Sequence, residues 1–276
     1  MKKRGFILFF LMLNILFFTS CTNKVGVGKD QSTKDSKKLN IGYDIYSPYT
    51  YVDEKGNMAG IDIEIAKEAC KRIGYQPVFQ RITWGEHKKL LKNKSIDCIW
   101  CSFSENGRQK QYQWTTPYLK SHEVVVVRAD SKIKKLSDLE GKKVAVQVDT
   151  KAEEYFLKQM KKGKLHLEQL STYKNMIEAM AAFNKGYVDA IASHEAVLKA
   201  YTKNNSKNYF FIETPIVYSN LGVAFRKDYN TEIIELLSST LQEMTKDGTI
   251  EAIVKKYGID ASHLMEVQSS DWKESK

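Results

Sequence analysis

The type and spacing of four cysteines raise the question of metal binding or disulfide pairing: Cys21, Cys70, Cys98 and Cys101. Cys98 and Cys101 are three positions apart in a segment typical of a strand, so their side chains should point to opposite faces. We therefore expect that Cys98 and Cys101 do not bind a metal ion together. Without Cys21 an odd number remains, and these cannot all pair within one chain. We predict that Cys70, Cys98 and Cys101 are small residues of the core.

Motifs of common catalytic sites are missing from the chain. It contains no GxxxxGK[ST] phosphate loop, no HExxH zinc helix and no Gly-x-Ser-x-Gly nucleophile turn. We therefore predict no cofactor, no metal and no catalytic residue. A binding protein is favoured over an enzyme.

The N-terminus has the pattern of an export signal. Basic residues 2–4 precede a mostly apolar run of about fourteen residues, which is shorter than the roughly 20 that a membrane span needs. The run ends in Thr19-Ser20-Cys21, which resembles a bacterial lipobox. We predict a signal peptide over residues 1–20 with lipidation of Cys21; an unlipidated signal peptide is the alternative. Residues 21–38 are polar and predict a flexible tether.

The charge of the chain fits an exported protein better than a nucleic-acid-binding one. Its formal net charge is +10, but the lysines are scattered along the sequence rather than clustered. Such a distribution indicates a solvated surface that faces an anionic cell envelope. We expect no nucleic-acid partner, and we expect an exported monomer anchored by its N-terminal lipid to the outer face of the cell membrane.

Strand and helix patterns alternate in two runs, one from Leu39 and one from near Lys135. This is typical of an α/β protein with two lobes, each a mainly parallel sheet flanked by helices. Two strongly apolar strands, 123–130 and 220–228, connect the runs and predict two hinge strands. We place lobe 1 at residues 39–127 plus 222–270, and lobe 2 at residues 128–221. Two C-terminal helices, separated by a break at Asp247-Gly248, should pack against lobe 1 and complete it.

The stretch GIDIEIAKEACKRI, Gly60 to Ile73, resembles the signature of the family 3 extracellular solute-binding proteins, the amino-acid receptors of ABC importers. The resemblance extends from about Leu39 to Gly258 and includes IDCIWCSFSENGR, YQWTTPYL and DGTIEAIVKKYG. It implies the two-lobed periplasmic-binding-protein-like fold. It also implies that the signature helix packs lobe 1 without touching the ligand, with Asp62 as its expected N-cap.

The resemblance assigns the α-carboxylate of an amino acid to four residues. Arg108 matches the arginine that grips the carboxylate, and a guanidinium makes a two-pronged bond to such a group. Ser102 and Ser104 match assisting hydroxyl and amide positions, although the loop is one residue shorter than is common. Thr150 matches a threonine at a helix N-terminus that favours an anion, with a plain N-cap as the alternative.

The resemblance assigns the rest of the ligand to five residues. Tyr46 and Trp84 match an aromatic pair around the ligand side chain, and Asp44 matches an acid at the end of that side chain. Many relatives have an aspartate for the α-ammonium where His194 stands, and the neighbouring Glu195 could replace it. Solvent-facing roles for both residues, or a ligand that lacks an α-amino group, are the alternatives.

Together these features predict the substrate-binding protein of an ABC importer. It would capture a polar or cationic amino acid by hinge closure and deliver it to the membrane permease. Asp44 argues against acidic ligands; lysine, arginine, histidine or ornithine come first, then glutamine or cystine. An exported enzyme similar to cyclohexadienyl dehydratase, with Glu195 as general acid, and a surface sensor or adhesin are the alternatives.

Overall fold

The computed structural model describes residues 37–259, so the predicted signal peptide, Cys21 and nearly all of the predicted tether lie outside the described residues. The strands are β1 (Lys37–Tyr43), β2 (Tyr51–Val52), β3 (Met58–Ala59), β4 (Tyr75–Arg81), β5 (Cys98–Ile99), β6 (Gln113–Trp114), β7 (Leu119–Arg128), β8 (Lys143–Gln147), β9 (Gln169–Tyr173), β10 (Ala190–His194), β11 (Tyr209–Phe211), β12 (Val217–Leu221) and β13 (Ala224–Phe225). The helices are α1 (Ile61–Arg72), α2 (His87–Lys92), α3 (Lys151–Lys161), α4 (Met176–Asn184), α5 (Glu195–Thr202), α6 (Thr231–Lys246) and α7 (Thr249–Lys256).

The first sheet has the strand order β4-β1-β5-β13-β6. β1 pairs in parallel with β4 and β5, and β13 runs antiparallel to β5 and β6. Helix α1 crosses from β1 to β4 and buries the predicted stripe of Ile61, Ile65 and Ala69. The parallel part of this sheet therefore follows the strand–helix alternation of the sequence.

The second sheet has the order β11-β7-β10-β8-β9, and β12 also pairs with β7. β8 pairs in parallel with β9 and β10, whereas β7 runs antiparallel to β10, β11 and β12. Both sheets are thus mixed, although mainly parallel sheets were predicted. The antiparallel pairs arise where the chain changes from one sheet to the other and returns.

The chain changes sheet twice, at residues 115–118 between β6 and β7 and at residues 222–223 between β12 and β13. These two crossing segments are hydrogen-bonded to each other: the Thr115 amide donates to the Val223 carbonyl over 3.1 Å, and the Tyr118 amide donates to the Leu221 carbonyl over 2.9 Å. The lobe boundary predicted at residue 127 divides β7, which pairs along its length in the second sheet.

The C-terminal helices pack on the first lobe, as predicted. Helices α6 and α7 contact α1, and Gly248, with a φ of 80°, separates them. Arg72 of α1 forms an ion pair with Asp247 over 2.7 Å at this break. No helix within residues 37–259 is long and apolar enough to cross a membrane.

Cys70, Cys98 and Cys101 are buried and free, as predicted. Each has less than a tenth of its surface exposed and belongs to the apolar core of the first lobe. Burial raises the pKa of the Cys70 thiol to about 12, which keeps it protonated. These residues are therefore inert packing groups.

The N-terminus of α1 is capped by backbone groups rather than by a side chain. The amides of Ile61 and Asp62 each donate over 3.0 Å to the carbonyls of Pro48 and Tyr49. The N-cap is Gly60, with a φ of 122°, so the prediction of Asp62 as N-cap is wrong. The glycine is required because a β-carbon at this position would lie 2.2 Å from the Tyr49 carbonyl oxygen.

We predict that Gly60→Ala lowers the free energy of unfolding by about 3 kcal/mol, because the clash is with backbone that cannot move aside. Urea denaturation followed by circular dichroism measures this. Gly141→Ala is the control: Gly141 has a φ of 66°, but nothing lies within 4 Å of its β-carbon position. It should cost only about 1 kcal/mol. Equal losses in the two variants would contradict the steric explanation.

Candidate functional site

A cavity lies between the two sheets, at the carboxyl ends of several strands. Ligands of open α/β sheets bind at such ends. From the first lobe it is lined by Asp44, Tyr46, Trp84, Cys101, Ser102, Phe103, Ser104 and Arg108, and from the second by Glu123, Gln147, Thr150, Lys151 and His194. All the residues predicted for a ligand site line this cavity except Glu195.

Arg108 is a partly buried cation that lines the cavity. Its guanidinium donates to the Ser104 carbonyl over 3.1 Å and to the Asp149 carbonyl, in the second lobe, over 3.0 Å. It also stacks over the Phe103 ring at 5.0 Å from the centroid. Within residues 37–259 no carboxylate lies within 4 Å of it, and burial lowers its pKa. These contacts fix the guanidinium in place, and three of its five N–H groups have no hydrogen-bond partner within residues 37–259.

Ser102 and Asp62 form a strained and buried pair behind the cavity. Ser102 has a φ of 41°, in the left-handed region that ordinary residues avoid. Its amide donates over 2.5 Å to Asp62 of α1, whose other carboxylate oxygen accepts from the Tyr118 hydroxyl over 2.9 Å. Burial raises the pKa of Asp62 to about 7. The signature helix therefore positions the cavity loop through Asp62.

Two hydroxyl groups near Arg108 have different surroundings. The Ser102 hydroxyl is buried without a hydrogen-bond partner among the described residues. The Ser104 hydroxyl donates to Asn106 over 3.1 Å, while its backbone bridges Leu221. Ser102 thus keeps a free polar atom at the cavity wall, and Ser104 acts mainly through its backbone.

Thr150 caps helix α3 at the cavity. Its hydroxyl accepts from the Glu153 amide over 3.3 Å and donates to the Gln147 carbonyl over 2.7 Å. The start of an α-helix carries partial positive charge, which attracts anions. Thr150 is therefore an N-cap that also lines the cavity, so the two alternatives from the sequence are compatible.

The aromatic residues reach across the cavity to the second lobe. The Tyr46 hydroxyl is 2.5 Å from the Ser193 hydroxyl, and the ring meets His194 edge-on at 5.9 Å. The Trp84 indole stacks on His87 at 4.6 Å and donates over 3.5 Å to the Asp149 carbonyl. The two rings are therefore anchored and present fixed apolar faces to the cavity.

Asp44 lies at the end of β1, in the part of the cavity near Gln147. Its carboxylate accepts from the Gln147 side chain over 2.8 Å and from the amide of Ile45 over 2.8 Å. It is 4% exposed, and burial raises its pKa. A buried acid at this point favours a cationic or hydrogen-bond-donating group and disfavours an anion.

His194 lines the cavity, but Glu195 does not. His194 ends β10 and is 5% exposed, and burial lowers its pKa to about 3, so it is neutral. Glu195 begins helix α5 and is turned away, where it pairs with His122 over 3.3 Å and with Lys199 over 3.0 Å. The hydrogen bond from His122 lowers the pKa of Glu195 to about 2. The structure therefore does not bring Glu195 to the predicted site.

Glu123 and Gln147 are cavity residues that sequence reasoning missed. The sequence assigned Glu123 only to an apolar hinge strand and gave Gln147 no role, although Gln147 is the last residue of β8 in the structure. One signal was available for Glu123: a single acid immediately before four consecutive valines marks a charge on a buried strand. Such a charge is rare unless it is paired or functional.

Comparison with known proteins identifies close similarity to one family. The family model of the bacterial extracellular solute-binding proteins, family 3, matches residues 39–260. An arginine-binding extracellular protein of Bacillus subtilis strain 168 is 27% identical, covering 90% of this chain and 96% of its own length. An L-cystine-binding protein of the same strain is 26% identical, covering 94% of this chain and 99% of its own.

Solved structures show the same two-lobed fold. An ancestral arginine-binding protein bound to arginine is 30% identical, with a TM-score of 0.73, and the match covers 80% of this chain and 97% of that one. An ancestral amino-acid-binding protein described as a precursor of cyclohexadienyl dehydratase is 28% identical, with a TM-score of 0.69, covering 80% and 94%. The predicted two-lobed α/β fold is confirmed.

We predict that Asp62→Asn removes a pH dependence of stability. Because the carboxyl has a pKa of about 7 when folded and an ordinary value when unfolded, the folded state binds the proton more tightly. The free energy of unfolding should therefore fall as pH rises from about 4 to 7, by up to about 1.4 kcal/mol per pH unit. Urea denaturation across this range measures the slope in both proteins.

The matched control is Asp53→Asn, at an exposed aspartate whose pKa is lowered by a hydrogen bond from the Asn57 amide. Because this aspartate titrates below pH 4, the control should keep the wild-type slope between pH 4 and 7. An Asp62→Asn protein with the wild-type slope would show that Asp62 is not the titrating group.

Proposed function

The chain belongs to the bacterial extracellular solute-binding proteins of family 3, and from this premise we propose that it is the receptor of an ABC importer. It captures a polar or cationic amino acid in the cavity between its sheets and delivers it to a membrane permease. The protein itself performs no reaction. The expected ligands are basic amino acids first, then glutamine and cystine.

The observation that carries this proposal is the partly buried guanidinium of Arg108, which lines the cavity. Removing a charge from water is costly unless it is paired, and residues 37–259 provide no carboxylate within 4 Å of it. An α-carboxylate can accept two parallel hydrogen bonds from a guanidinium. The Ser102 hydroxyl and the start of α3 at Thr150 line the same cavity and support the same anionic group.

The other end of the cavity favours a cationic or amide side chain. Asp44 provides a buried carboxylate, and Tyr46 and Trp84 provide flat apolar faces for an aliphatic stem or a delocalised cation. A glutamate or aspartate side chain would place a second negative charge beside Asp44. We therefore infer a ligand with a basic or amide end, which agrees with what the arginine-binding relative is named for.

Closure of the lobes is supported by direct contacts across the cavity. Lys88 of α2 forms an ion pair with Asp149 over 2.8 Å, and Asp149 also accepts from Arg108 through its carbonyl. The crossing segments 115–118 and 222–223 are short, so rotation about them opens the cavity without disturbing either sheet. The structure corresponds to the closed state that would dock on the permease.

We also propose the location of the protein. It is exported and held at the outer face of the cell membrane by a lipid on Cys21, with residues 21–38 as the predicted tether to a monomeric binding domain. The argument is the basic, apolar and small-residue order of the N-terminal sequence. Mass spectrometry of the detergent-extracted protein tests this, because lipidation adds acyl mass to a chain that begins at Cys21.

The two alternative functions have separate tests. For an enzyme, Glu195 was the proposed general acid, but it lies outside the cavity in ion pairs with His122 and Lys199. Incubation with prephenate or arogenate should therefore give no aromatic product. For a sensor or adhesin, deletion of the gene should leave amino-acid uptake intact, whereas we expect uptake to fall.

We predict that Arg108→Ala abolishes the thermal stabilisation that amino acids give the wild type. A ligand at 100 times its Kd adds about 2.7 kcal/mol, and losing the partner of a buried carboxylate weakens binding by at least about 100-fold. Thermal-shift screening of the protein amino acids, ornithine and cystine measures both proteins. Arg72→Ala, on the outer face of α1, is the control and should keep the ligand response. An unchanged response in Arg108→Ala would remove Arg108 from the site.

We predict that Asp44→Asn weakens binding of arginine and lysine by about 10–100-fold and binding of glutamine by much less, because only the cationic side chains use the charge of Asp44. Isothermal titration calorimetry with each amino acid gives the ratio of dissociation constants, and glutamine is the internal control. If the losses for the cationic and neutral ligands are the same, Asp44 does not face the side chain.

A further inference from the structure

Glu123 is a buried carboxyl group that takes no part in the ligand contacts proposed for Arg108 and Asp44. It lies on β7, lines the cavity and is 2% exposed. Its Oε2 atom has no hydrogen-bond partner among residues 37–259. Burying a carboxylate without a partner is costly, so a group that faces it in the cavity must carry positive charge or donate hydrogen bonds.

The neighbouring strand β10 places no charged side chain opposite Glu123. Glu123 and His194 are directly opposite in the antiparallel pairing of β7 and β10, and Glu123 Oε1 is 3.7 Å from His194 Nε2. The other ring nitrogen of His194 is 2.7 Å from the Ser121 hydroxyl. Burial lowers the pKa of His194 to about 3, so the imidazole is neutral at physiological pH. Glu123 is therefore the member of this pair that can carry a charge near neutral pH.

The cations around Glu123 already have other partners. Lys151 at the start of α3 forms an ion pair with Glu154 over 2.5 Å, and Arg108 donates to two carbonyls. The Ala152 amide and the charges of Arg108 and Lys151 favour the ionised carboxylate, while Glu154 opposes it. Burial outweighs these effects and raises the pKa of Glu123 to about 7. The group is thus close to half protonated at neutral pH.

The position of Glu123 relative to Arg108 indicates which cationic group it meets. Arg108 and Glu123 both line the cavity, and the charge of Arg108 lowers the pKa of Glu123. Asp44 lies instead beside Gln147, whose side chain donates to it over 2.8 Å. The α-ammonium of an amino acid is two bonds from the carboxylate carbon, so it stays near the carboxylate partner. The charge at the far end of a side chain instead extends toward Asp44.

We propose that Glu123 is the carboxylate that receives the α-ammonium of the bound amino acid, and that binding drives this carboxyl group to its ionised form and releases its proton to solvent. This inference rests on the proposed function and names the second charged contact of the same site. His194 at the end of β10 carries no charge. Glu123, directly opposite on the adjacent strand β7, supplies the negative charge instead.

The proposal fixes the direction of a pH effect. The ligand binds the ionised carboxylate, so affinity is highest above pH 7 and falls below it, approaching tenfold per pH unit. Between pH 8 and pH 5.5 the dissociation constant should rise by about 30-fold, as expected for one group with a pKa of about 7. At pH 6, about one proton should leave per ligand bound.

The test is isothermal titration calorimetry with the amino acid that most stabilises the wild type among the protein amino acids, ornithine and cystine. We expect Glu123→Gln to weaken binding at pH 8 by about 30–100-fold and to lose the pH dependence between 5.5 and 8. The matched control is Glu195→Gln, which removes an acid outside the cavity and should behave as the wild type does.

A double variant tests whether the charge or the residue matters. Glu123→Gln combined with His194→Asp moves the carboxylate to the directly opposite position on β10. We expect it to recover at least tenfold of the affinity lost in Glu123→Gln. Unchanged affinity and pH profile in Glu123→Gln would overturn the proposal, as would a double variant no better than the single one.

The wild type provides a second measurement if Glu123→Gln does not fold. Titrations at pH 6 in buffers of different ionisation enthalpy count the protons released on binding, and the same titrations of Asp44→Asn exclude a proton released by Asp44. About one proton in both proteins supports the proposal and none in Asp44→Asn overturns it. If the proposed function is wrong, the result is different: no amino acid binds the wild type at pH 8. Binding without proton release, in contrast, contradicts only the role of Glu123.

Discussion

The structure depends on two groups of opposite charge that line one cavity without forming a direct ion pair, the partly buried guanidinium of Arg108 and the buried carboxyl group of Glu123. Arg108 is held by two backbone carbonyls, and Glu123 has a carboxylate oxygen with no hydrogen-bond partner among the described residues. Both groups lose solvation on burial, which lowers the pKa of Arg108 and raises that of Glu123. A zwitterion placed between them would supply the opposite charge to each. This complementarity is the physical basis for proposing an amino acid as the ligand.

The rest of the fold keeps these charges in place and in reach of each other. Tyr118 lies in the first crossing segment, and its hydroxyl bonds Asp62 of the signature helix. Asp62 in turn holds the Ser102 amide in a left-handed conformation at the cavity wall. The hinge region, the helix and the ligand loop are therefore connected by one chain of hydrogen bonds. A rotation at the crossing segments would act directly on this loop.

The sequence predicted the fold and much of the cavity because both follow from local patterns. The helical stripe of Ile61, Ile65 and Ala69 and the strand before Asp44 are periodic features that the structure reproduces. Thr150 stands at the start of α3, and Arg108 lies in the turn between β5 and β6, where only the family resemblance assigned it. Their roles toward a ligand remain proposals.

What the sequence did not reveal depends on contacts between distant segments. Glu195 was expected to turn inward, but α5 begins at this residue and directs it to His122 on β7. Glu123 reaches the cavity only because β7 pairs with β10 in a register that sets it opposite His194. Asp62 bonds a residue 40 positions away. No local periodicity encodes such pairings, so a single sequence could not identify these three roles.

A crystal structure of the protein grown with L-arginine tests the central claim most directly. We predict electron density for one arginine between the two sheets, with its α-carboxylate within hydrogen-bond distance of the Arg108 guanidinium and its α-ammonium against Glu123. Its side chain should extend between Tyr46 and Trp84 toward Asp44. An arginine bound with its carboxylate away from Arg108, or bound only on the outer surface of either lobe, would contradict the proposed recognition.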